Sequence, residues 1–93
     1  MKLGGWVIYA DYKLGHSILS PANGKTYTLE ELQEAVHGNI EIIHLNDGRL
    51  MVVNEEGLLQ RLPYNMYASA IAHQSGLGDI VGDVVVCHSD MIE

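Results

Sequence analysis

Two apolar runs separated by a tight turn constrain this chain more than any other feature. They occupy residues 40–45 (IEIIHL) and 50–53 (LMVV), with Asn46, Asp47 and Gly48 between them. Asp-Gly between two apolar runs is typical of a β-hairpin, because the glycine supplies the positive φ angle that such turns require. Both strands are apolar on both faces, which predicts either a central position in the sheet or one face buried in a subunit interface.

The clearest local element is a helix, which we place at about residues 29–37. Thr28 followed by Glu31 is a capping box, in which the threonine hydroxyl accepts a hydrogen bond from a helix amide and the glutamate reaches back. An apolar stripe at helical spacing follows. Gly38 is expected to end the helix, because glycine adopts the left-handed cap conformation without a Cβ penalty.

A second helix is predicted at about residues 66–75, capped by Asn65, ended by Gly76 and apolar almost all round. Further strands are predicted at residues 6–9, 16–19 and 84–87, with residues 80–81 extending the last one across an interruption at Gly82. Pro63 excludes an ordinary central strand just before it. The pattern predicts one α+β domain over residues 1–93, with a mostly antiparallel sheet of about five strands and two helices.

Composition narrows the class of protein. The net charge is −7, and the five basic residues are scattered, which argues against a nucleic-acid binder. Hydrophobic residues make up 47% of the 93 residues. That is high for a short soluble chain, so we expect a homo-oligomer, although a well-filled monomer core explains the composition nearly as well. We find no signal peptide or membrane-spanning pattern, and a single cysteine is consistent with a reducing compartment.

The residues that could carry chemistry form no strong motif. Among the histidines and the cysteine only Cys87 and His88 are adjacent, and neighbours on a strand point to opposite faces, so they could not easily bind one ion. Cys87 ends an apolar run, where burial disfavours the reactive thiolate. The sequence therefore favours a binding protein over an enzyme, and it predicts no catalytic residue, no metal site and no cofactor.

Several segments resemble a family of short phage and mobile-element proteins known as domain of unknown function 3846. The resemblance covers roughly residues 23–93, and it rests on residues 23–33, 40–43, 54–57, 62–65 and 79–84. What the resemblance implies is a phage or plasmid origin, small size and a place in the host cytoplasm. It implies no established activity.

The segment from Asn54 to Asn65 has the residue types that a nucleotide site uses. Arg61 suits a phosphate, Tyr64 suits a base, and Asn65 precedes a helix start, which is a ready anion site. Trp6 and Tyr9, with Tyr12, could add an aromatic wall. The predicted ligand-binding residues are therefore Asn54, Arg61, Tyr64, Asn65, Tyr9 and Trp6. Four of them have a structural alternative: helix cap for Asn65, surface charge for Arg61, hydrophobic staple for Tyr64 and core filler for Trp6.

The leading hypothesis is a non-enzymatic viral protein that binds a small nucleotide-like ligand in pockets between its subunits. One concrete form is an anti-defence protein that sequesters a host immune signal. The alternative is an inhibitor or adaptor whose acidic surface occupies a basic site on a host protein. A small hydrolase is a third possibility, and it would require Cys87 or a carboxylate to be essential.

Overall fold

A computed structural model describes residues 5–92. It contains a sheet of five strands and two helices, followed by one turn of 3-10 helix at Ser89–Met91. In chain order the elements are β1 (Gly5–Ile8), β2 (His16–Leu19), α1 (Leu29–Val36), β3 (Ile40–His44), β4 (Arg49–Asn54), α2 (Met66–Gln74) and β5 (Val84–His88). The predicted α+β fold, with five strands and two helices, is confirmed.

The sheet is antiparallel throughout, and its strand order is β2-β1-β5-β4-β3. Two hairpins, β1–β2 and β3–β4, lie on either side of the last strand. The predicted turn joins β3 to β4, and Gly48 has the positive φ of 87° that the turn requires. β5 is therefore the central strand, and β2 and β3 are the two edges of the sheet.

The two helices lie on opposite faces of the sheet. Successive residues of a strand point to opposite faces, so Val52 and Val85 pack with Leu32 of α1, whereas Met51 and Val84 pack in the cluster that contains α2. β4 is thus apolar on both faces because one helix covers each of them. This decides between the two interpretations of that strand in favour of a central position. β3, in contrast, is an edge strand.

The capping box of α1 forms as predicted. Thr28 Oγ1 accepts a hydrogen bond from the Glu31 amide at 3.2 Å, and Glu31 Oε1 accepts one from the Thr28 amide at 2.9 Å. The prediction for the other end is wrong, because His37 and not Gly38 takes the left-handed conformation, with φ of 67°. Gly38 serves a different purpose: a Cβ atom there would lie 2.8 Å from Nδ2 of Asn54.

The second helix begins at its predicted cap, where Asn65 Oδ1 accepts a hydrogen bond from the Ala68 amide at 3.0 Å. The prediction that residues 80–81 form part of a strand is wrong. Val81 makes one isolated bridge to Tyr64, and β5 starts only at Val84. The chain turns at Gly82, with φ of 78°, and packs there against Leu62, so the strand cannot continue backwards through this position.

Candidate functional site

A cleft of about 500 Å³ lies between α2 and the β1–β2 half of the sheet. α2 packs over the centre of the sheet through Ala68 and Ala72, which are fully buried. The neighbouring half of that face stays open, so that Trp6 is 38% exposed and its cross-strand partner Ile18 is 59% exposed. The cleft is lined by Trp6, Tyr12, His16, Arg49, Tyr67 and Ile71, among others.

Strand alternation and helix periodicity explain why these side chains meet. Trp6 shares its face of β1 with Ile8, which belongs to the α2-side cluster. His16 lies opposite Ile8 in the β1–β2 register, and its ring meets the Trp6 ring edge-on, with centroids 5.0 Å apart and planes at 73°. Tyr67 and Ile71 are four residues apart on α2 and so form one wall. β1, β2 and α2 together therefore fix most of the cleft.

The guanidinium group of Arg49, which lines the cleft, is fixed in position by the neighbouring carboxylate of Asp47. Arg49 Nε donates to Asp47 Oδ2 at 2.8 Å, and Nη2 lies 2.8 Å from the same oxygen. The pKa of Asp47 is lowered, first because the Arg49 amide donates to it and also because of the guanidinium group. A guanidinium has five N–H donors, so Arg49 retains donors for a ligand while Asp47 orients it.

Aromatic rings beside a fixed guanidinium match the chemistry of a planar, anionic ligand. A nucleobase can stack on Trp6, Tyr12 or Tyr67, because every base presents a π-face to an aromatic side chain. A phosphate matches the donors of Arg49. The cleft volume also lies within the usual range for small-molecule sites. The arrangement is thus suited to a nucleotide-like molecule.

A second cleft, of about 600 Å³, lies on the α1 side of the sheet and has the opposite charge character. Its polar lining includes Glu31, Glu34 and Asp83. Asp83 Oδ2 lies 2.9 Å from His37 Nε2, and Asp83 Oδ1 accepts a hydrogen bond from the Ala10 amide at 2.9 Å. The Asp83 carboxylate therefore links the end of α1 to the segment after β1. Three carboxylates disfavour an anion in this cleft.

Comparison with known families agrees with the resemblance found in the sequence. Residues 16–92 match the family described as domain of unknown function, DUF3846. The chain belongs to this family. The DUF3846 match begins at β2 and includes both helices, His16, Arg49 and Tyr67, whereas Trp6 and Tyr12 precede it. No curated protein and no solved structure matches the chain. Between residues 5 and 92, neither helix of this DUF3846 chain has the length and apolar character to cross a membrane.

The predicted aromatic wall of Trp6 and Tyr9 is divided by the sheet. Trp6 lines the cleft beside α2. Tyr9 packs against the α1-side cluster instead, and its hydroxyl lies 2.7 Å from Ser17 Oγ. The two rings therefore lie on opposite sides of the sheet of this DUF3846 chain, and only Trp6 is placed to act with Tyr12.

The predicted asparagines are buried and bonded to the backbone. Asn65 Nδ2 donates to the carbonyls of Ile8 (3.0 Å) and Gly82 (2.9 Å). Asn54 Nδ2 donates to the carbonyl of Val36 at 3.1 Å, and Asn54 Oδ1 accepts from the Glu56 amide at 2.8 Å. Their polar atoms thus join segments of the DUF3846 fold.

The other two predicted residues of that segment, Arg61 and Tyr64, are exposed. Arg61 lies in a left-handed turn, with φ of 54°, and Tyr64 is 51% exposed beside its bridge to Val81. The structure does not bring either side chain into the aromatic cleft. Their role in ligand binding stays a prediction.

Sequence reasoning missed His16, Arg49 and Tyr67 as site residues. The available signals were the pairing of residues 16–19 with β1, which places His16 near Trp6, and the spacing of Tyr67 and Ile71 on one helix face. Arg49 could not be found in this way. It reaches the cleft because β4 pairs with β5, and β5 in turn pairs with β1.

The cysteine and the histidines do not form a shared site among residues 5–92. Burial, followed by the nearby Asp90 charge, raises the pKa of the Cys87 thiol to about 11, so the thiolate needed for nucleophilic attack is disfavoured. His37 pairs with Asp83, and His73 pairs with Asp79 at 2.8 Å. Within the described range, no group of three or more His, Cys, Asp or Glu side chains could hold a metal ion.

Proposed function

We propose that this protein is a non-enzymatic binding protein that holds a small nucleotide-like ligand in the cleft between α2 and the β1–β2 hairpin. The observation that carries the proposal is the convergence of Trp6, Tyr12 and Tyr67, from three separate segments, beside a guanidinium fixed by its own carboxylate. The site differs from the one predicted from the sequence: of the six predicted ligand-binding residues it keeps only Trp6, together with Tyr12 of the predicted aromatic wall.

Energetics support a bound base in this cleft. Base–aromatic stacking contributes about 1–3 kcal/mol per base, and a hydrogen bond between charged groups contributes about 1.5–3 kcal/mol. One stacked base and one phosphate–Arg49 contact together contribute about 2.5–6 kcal/mol, whereas micromolar affinity requires roughly 8 kcal/mol, so tight binding needs further enclosure of the ring. Enclosure matters because the aromatic residues of the cleft are open to solvent: Trp6, Tyr12 and Tyr67 are 38%, 65% and 54% exposed.

A homo-oligomer completes the proposal. Ile18 and Trp6 are paired, exposed apolar residues, and Trp6 also lines the cleft, so a second copy packed there would exclude water from the ligand. In this form the protein is an anti-defence protein of phage type, which sequesters a nucleotide immune signal in the host cytoplasm. Retention of the ligand, and not its conversion, is the expected activity.

The first test uses the only tryptophan of the chain as the reporter. Emission from Trp6 is followed while cyclic nucleotides and ADP-ribose-type nucleotides are titrated singly, and each ligand is recovered and analysed for chemical change. We expect saturable quenching by at least one ligand and its recovery intact. Silence across the whole panel rejects the nucleotide ligand, and turnover of the ligand rejects the non-enzymatic role.

Variants then localise the site. Tyr67→Ala and Arg49→Gln each remove one proposed contact and should raise the Kd by about tenfold or more. Tyr64→Ala is the matched control, because Tyr64 is also a half-exposed tyrosine but lies outside the cleft. Equal Kd values for all three variants and the wild type would exclude this cleft as the binding site.

A further inference from the structure

We propose that the free edge of β3 and the groove beside it bind an extended segment of a partner protein, rich in apolar and basic residues, as an added strand. This surface is distinct from the aromatic cleft, because β3 and the β1–β2 hairpin are at opposite ends of the sheet. The proposed partner is recognised by backbone hydrogen bonds, by an apolar groove and by carboxylates at the rim of that groove.

The hydrogen-bond register shows which backbone groups of β3 face outwards. The Leu45 amide donates to the Arg49 carbonyl at 2.9 Å, and the Glu55 amide donates to the Asn39 carbonyl at 2.8 Å. Hydrogen-bonded pairs alternate along an antiparallel ladder, so odd-numbered residues of β3 bond to β4. The amide and carbonyl groups of Ile40, Ile42 and His44 therefore point away from the sheet.

Apart from the charge of Glu41, this edge lacks the usual features that prevent strand addition. Proteins block their edges with proline, lysine, bulges or a covering segment. β3 contains no proline or lysine, it pairs with β4 without a bulge, and the side chain of Ile42 at its centre is exposed. Between residues 5 and 92, no hydrogen bond from another element reaches the outward groups of the strand.

A groove of about 410 Å³ adjoins this edge on the α2 side of the sheet. Ile43 and Val53 form its floor, and the loop after β4 contributes Leu58 and Leu59, which are 81% and 83% exposed. Two leucines exposed to this extent are costly in water and are typical of a contact surface. Apolar side chains of an added strand would cover them.

Carboxylates surround the apolar groove. Glu41, Glu55 and Asp79 line it, and Asp79 also pairs with His73. Within residues 5–92, neither Glu41 nor Glu55 makes an ion pair. An incoming Lys or Arg opposite Glu41 would thus supply a missing charge partner, and charge complementarity also favours the encounter.

The geometry of an antiparallel strand predicts which residues the partner segment should place opposite β3. In an antiparallel addition, the partner residues opposite Ile43 and Ile42 are apolar and consecutive, and the residue after them lies opposite Glu41. Directly opposite residues share a face, so the residue opposite Ile43 points towards the groove and the basic residue lies on the same side. The preferred segment therefore has two apolar residues followed by Lys or Arg.

Charge also decides between this partner and a second copy of the chain. Two β3 strands could pair symmetrically about Ile42, which would place each Glu41 opposite Ile43 of the other copy. Each glutamate would then approach the acidic rim of the other groove, between two chains that each carry a net charge of −7. Like charges across strands are destabilising, so a basic partner is favoured.

The test uses a defined probe, a fluorescein-labelled, capped peptide of sequence Lys-Thr-Val-Ile-Lys-Val-Lys, and follows its anisotropy as full-length protein is added. We expect saturable binding that weakens as salt increases. A peptide with the same sequence but N-methyl groups on the edge-facing amides should bind at least about tenfold more weakly, because it cannot complete the ladder. Equal binding of the two peptides would overturn strand addition.

Substitutions in the protein test the same binding site independently of the peptide variants. Ile42→Pro removes an outward amide that β4 does not use, and Glu41→Lys reverses the rim charge. We expect the first to weaken binding at least about tenfold and the second about threefold or more, whereas Glu34→Lys, the same charge change on α1, should stay within about twofold of wild type. Thermal unfolding and circular dichroism of Ile42→Pro report whether its fold is retained.

Other outcomes contradict the proposal. Absence of saturable binding of the basic peptide to the wild-type protein excludes the site. A mass that doubles with protein concentration for the wild type but not for the folded Ile42→Pro variant identifies a second copy as the occupant of the edge. Either result leaves the proposed aromatic cleft unaffected, because that cleft is tested through Trp6.

Discussion

Asn65 connects three parts of the chain through one buried amide. Its oxygen caps α2, and its nitrogen donates to a carbonyl 57 residues away at Ile8 and to another 17 residues away at Gly82. The side chain is fully buried. It therefore fixes the position of α2 relative to the end of β1 and to the turn before β5.

Replacing Asn65 with alanine should destabilise the protein by about 2–4 kcal/mol. The variant loses a helix cap, and it leaves two buried carbonyls without their donor. Urea denaturation followed by circular dichroism measures the change. Asn39→Ala is the control, because Asn39 is exposed and its side chain makes one long contact of 3.4 Å, so its effect should stay within about 0.5 kcal/mol. A similar small effect for Asn65→Ala would contradict the proposed structural role.

At the scale of single residues, roles that depend on neighbours in the sequence could be predicted, whereas contacts between residues far apart in the sequence could not. Asn65 was predicted as a cap because the signal lies within the first turn of α2. Its bonds to Ile8 and Gly82 depend on tertiary structure. The separation of Trp6 and Tyr9 follows from strand alternation, but only once the sheet is known to carry one helix on each face.

At the scale of elements, the start of α1 depends on an ionised glutamate. Backbone amides of Thr28 and then Ala22 donate to Glu31, and they lower its pKa below the ordinary value of 4.5. A lowered pKa means that the folded state binds a proton less readily than the unfolded state. Its contribution to stability is therefore complete above the ordinary pKa and is lost as the pH falls through the lowered value.

Glu31→Gln should remove part of the acid sensitivity of the protein. Between pH 7 and pH 3 the melting temperature of the variant should fall less than that of the wild type, although the variant starts lower, because glutamine caps without titrating. Differential scanning calorimetry at several pH values provides the measurement. Glu30→Gln, in the same helix turn but outside the capping box, should run parallel to the wild type. If the melting temperature of both variants falls with pH as steeply as that of the wild type, ionisation of Glu31 does not cause the acid sensitivity.

The end of α1 gives a steric prediction. Gly38→Ala should destabilise the protein by about 1–3 kcal/mol, because the added methyl group would meet Nδ2 of buried Asn54 at 2.8 Å. Gly78→Ala is the matched control, since a Cβ atom there meets no atom within 4 Å. The measurement is the midpoint of urea unfolding for each variant, compared after checking that the two unfolding curves have the same dependence on urea concentration (m value). If Gly38→Ala is as stable as Gly78→Ala, Asn54 moves more freely than its hydrogen bonds indicate.

Elements with strong local chemistry were predicted well. The capping box located α1, and Asp47-Gly48 located the hairpin. Residues 80–81 were misassigned because β-branched side chains favour a strand, whereas the chain turns at Gly82 with a positive φ and the pairing of Val81 with Tyr64 does not extend beyond one bridge. The cap at His37 was missed because glycine is the usual residue in that conformation.

At the scale of the whole molecule, the order of the strands was not predictable from local pattern. The sequence indicated five strands, but it contained no signal that β5 lies between the two hairpins. This order explains the two-sided apolar character of β4 within one chain. The expectation of a homo-oligomer consequently rests on the open, apolar face around Ile18 and Trp6, and no longer on β4.

Self-association through that face should respond to a charge at Ile18. We expect sedimentation velocity of the wild type to show a mass that increases with concentration, and Ile18→Lys to weaken the association at least about tenfold, because a lysine would be buried unpaired. Leu29→Lys is the control, since the exposure of Leu29 (52%) is close to that of Ile18 (59%) but Leu29 belongs to α1 on the other face. A wild-type mass that stays monomeric at all concentrations would exclude the oligomer.

The position of β5 also determines when the fold can assemble during translation. The β1–β2 and β3–β4 hairpins leave the ribosome first, yet in the finished sheet they touch only through a strand that is synthesised after both. Until residues 84–88 emerge, four strands have apolar faces and two inner edges without partners, a state in which chains associate wrongly. Until β5 emerges, the two hairpins are unjoined halves of the sheet, and this one short strand joins them.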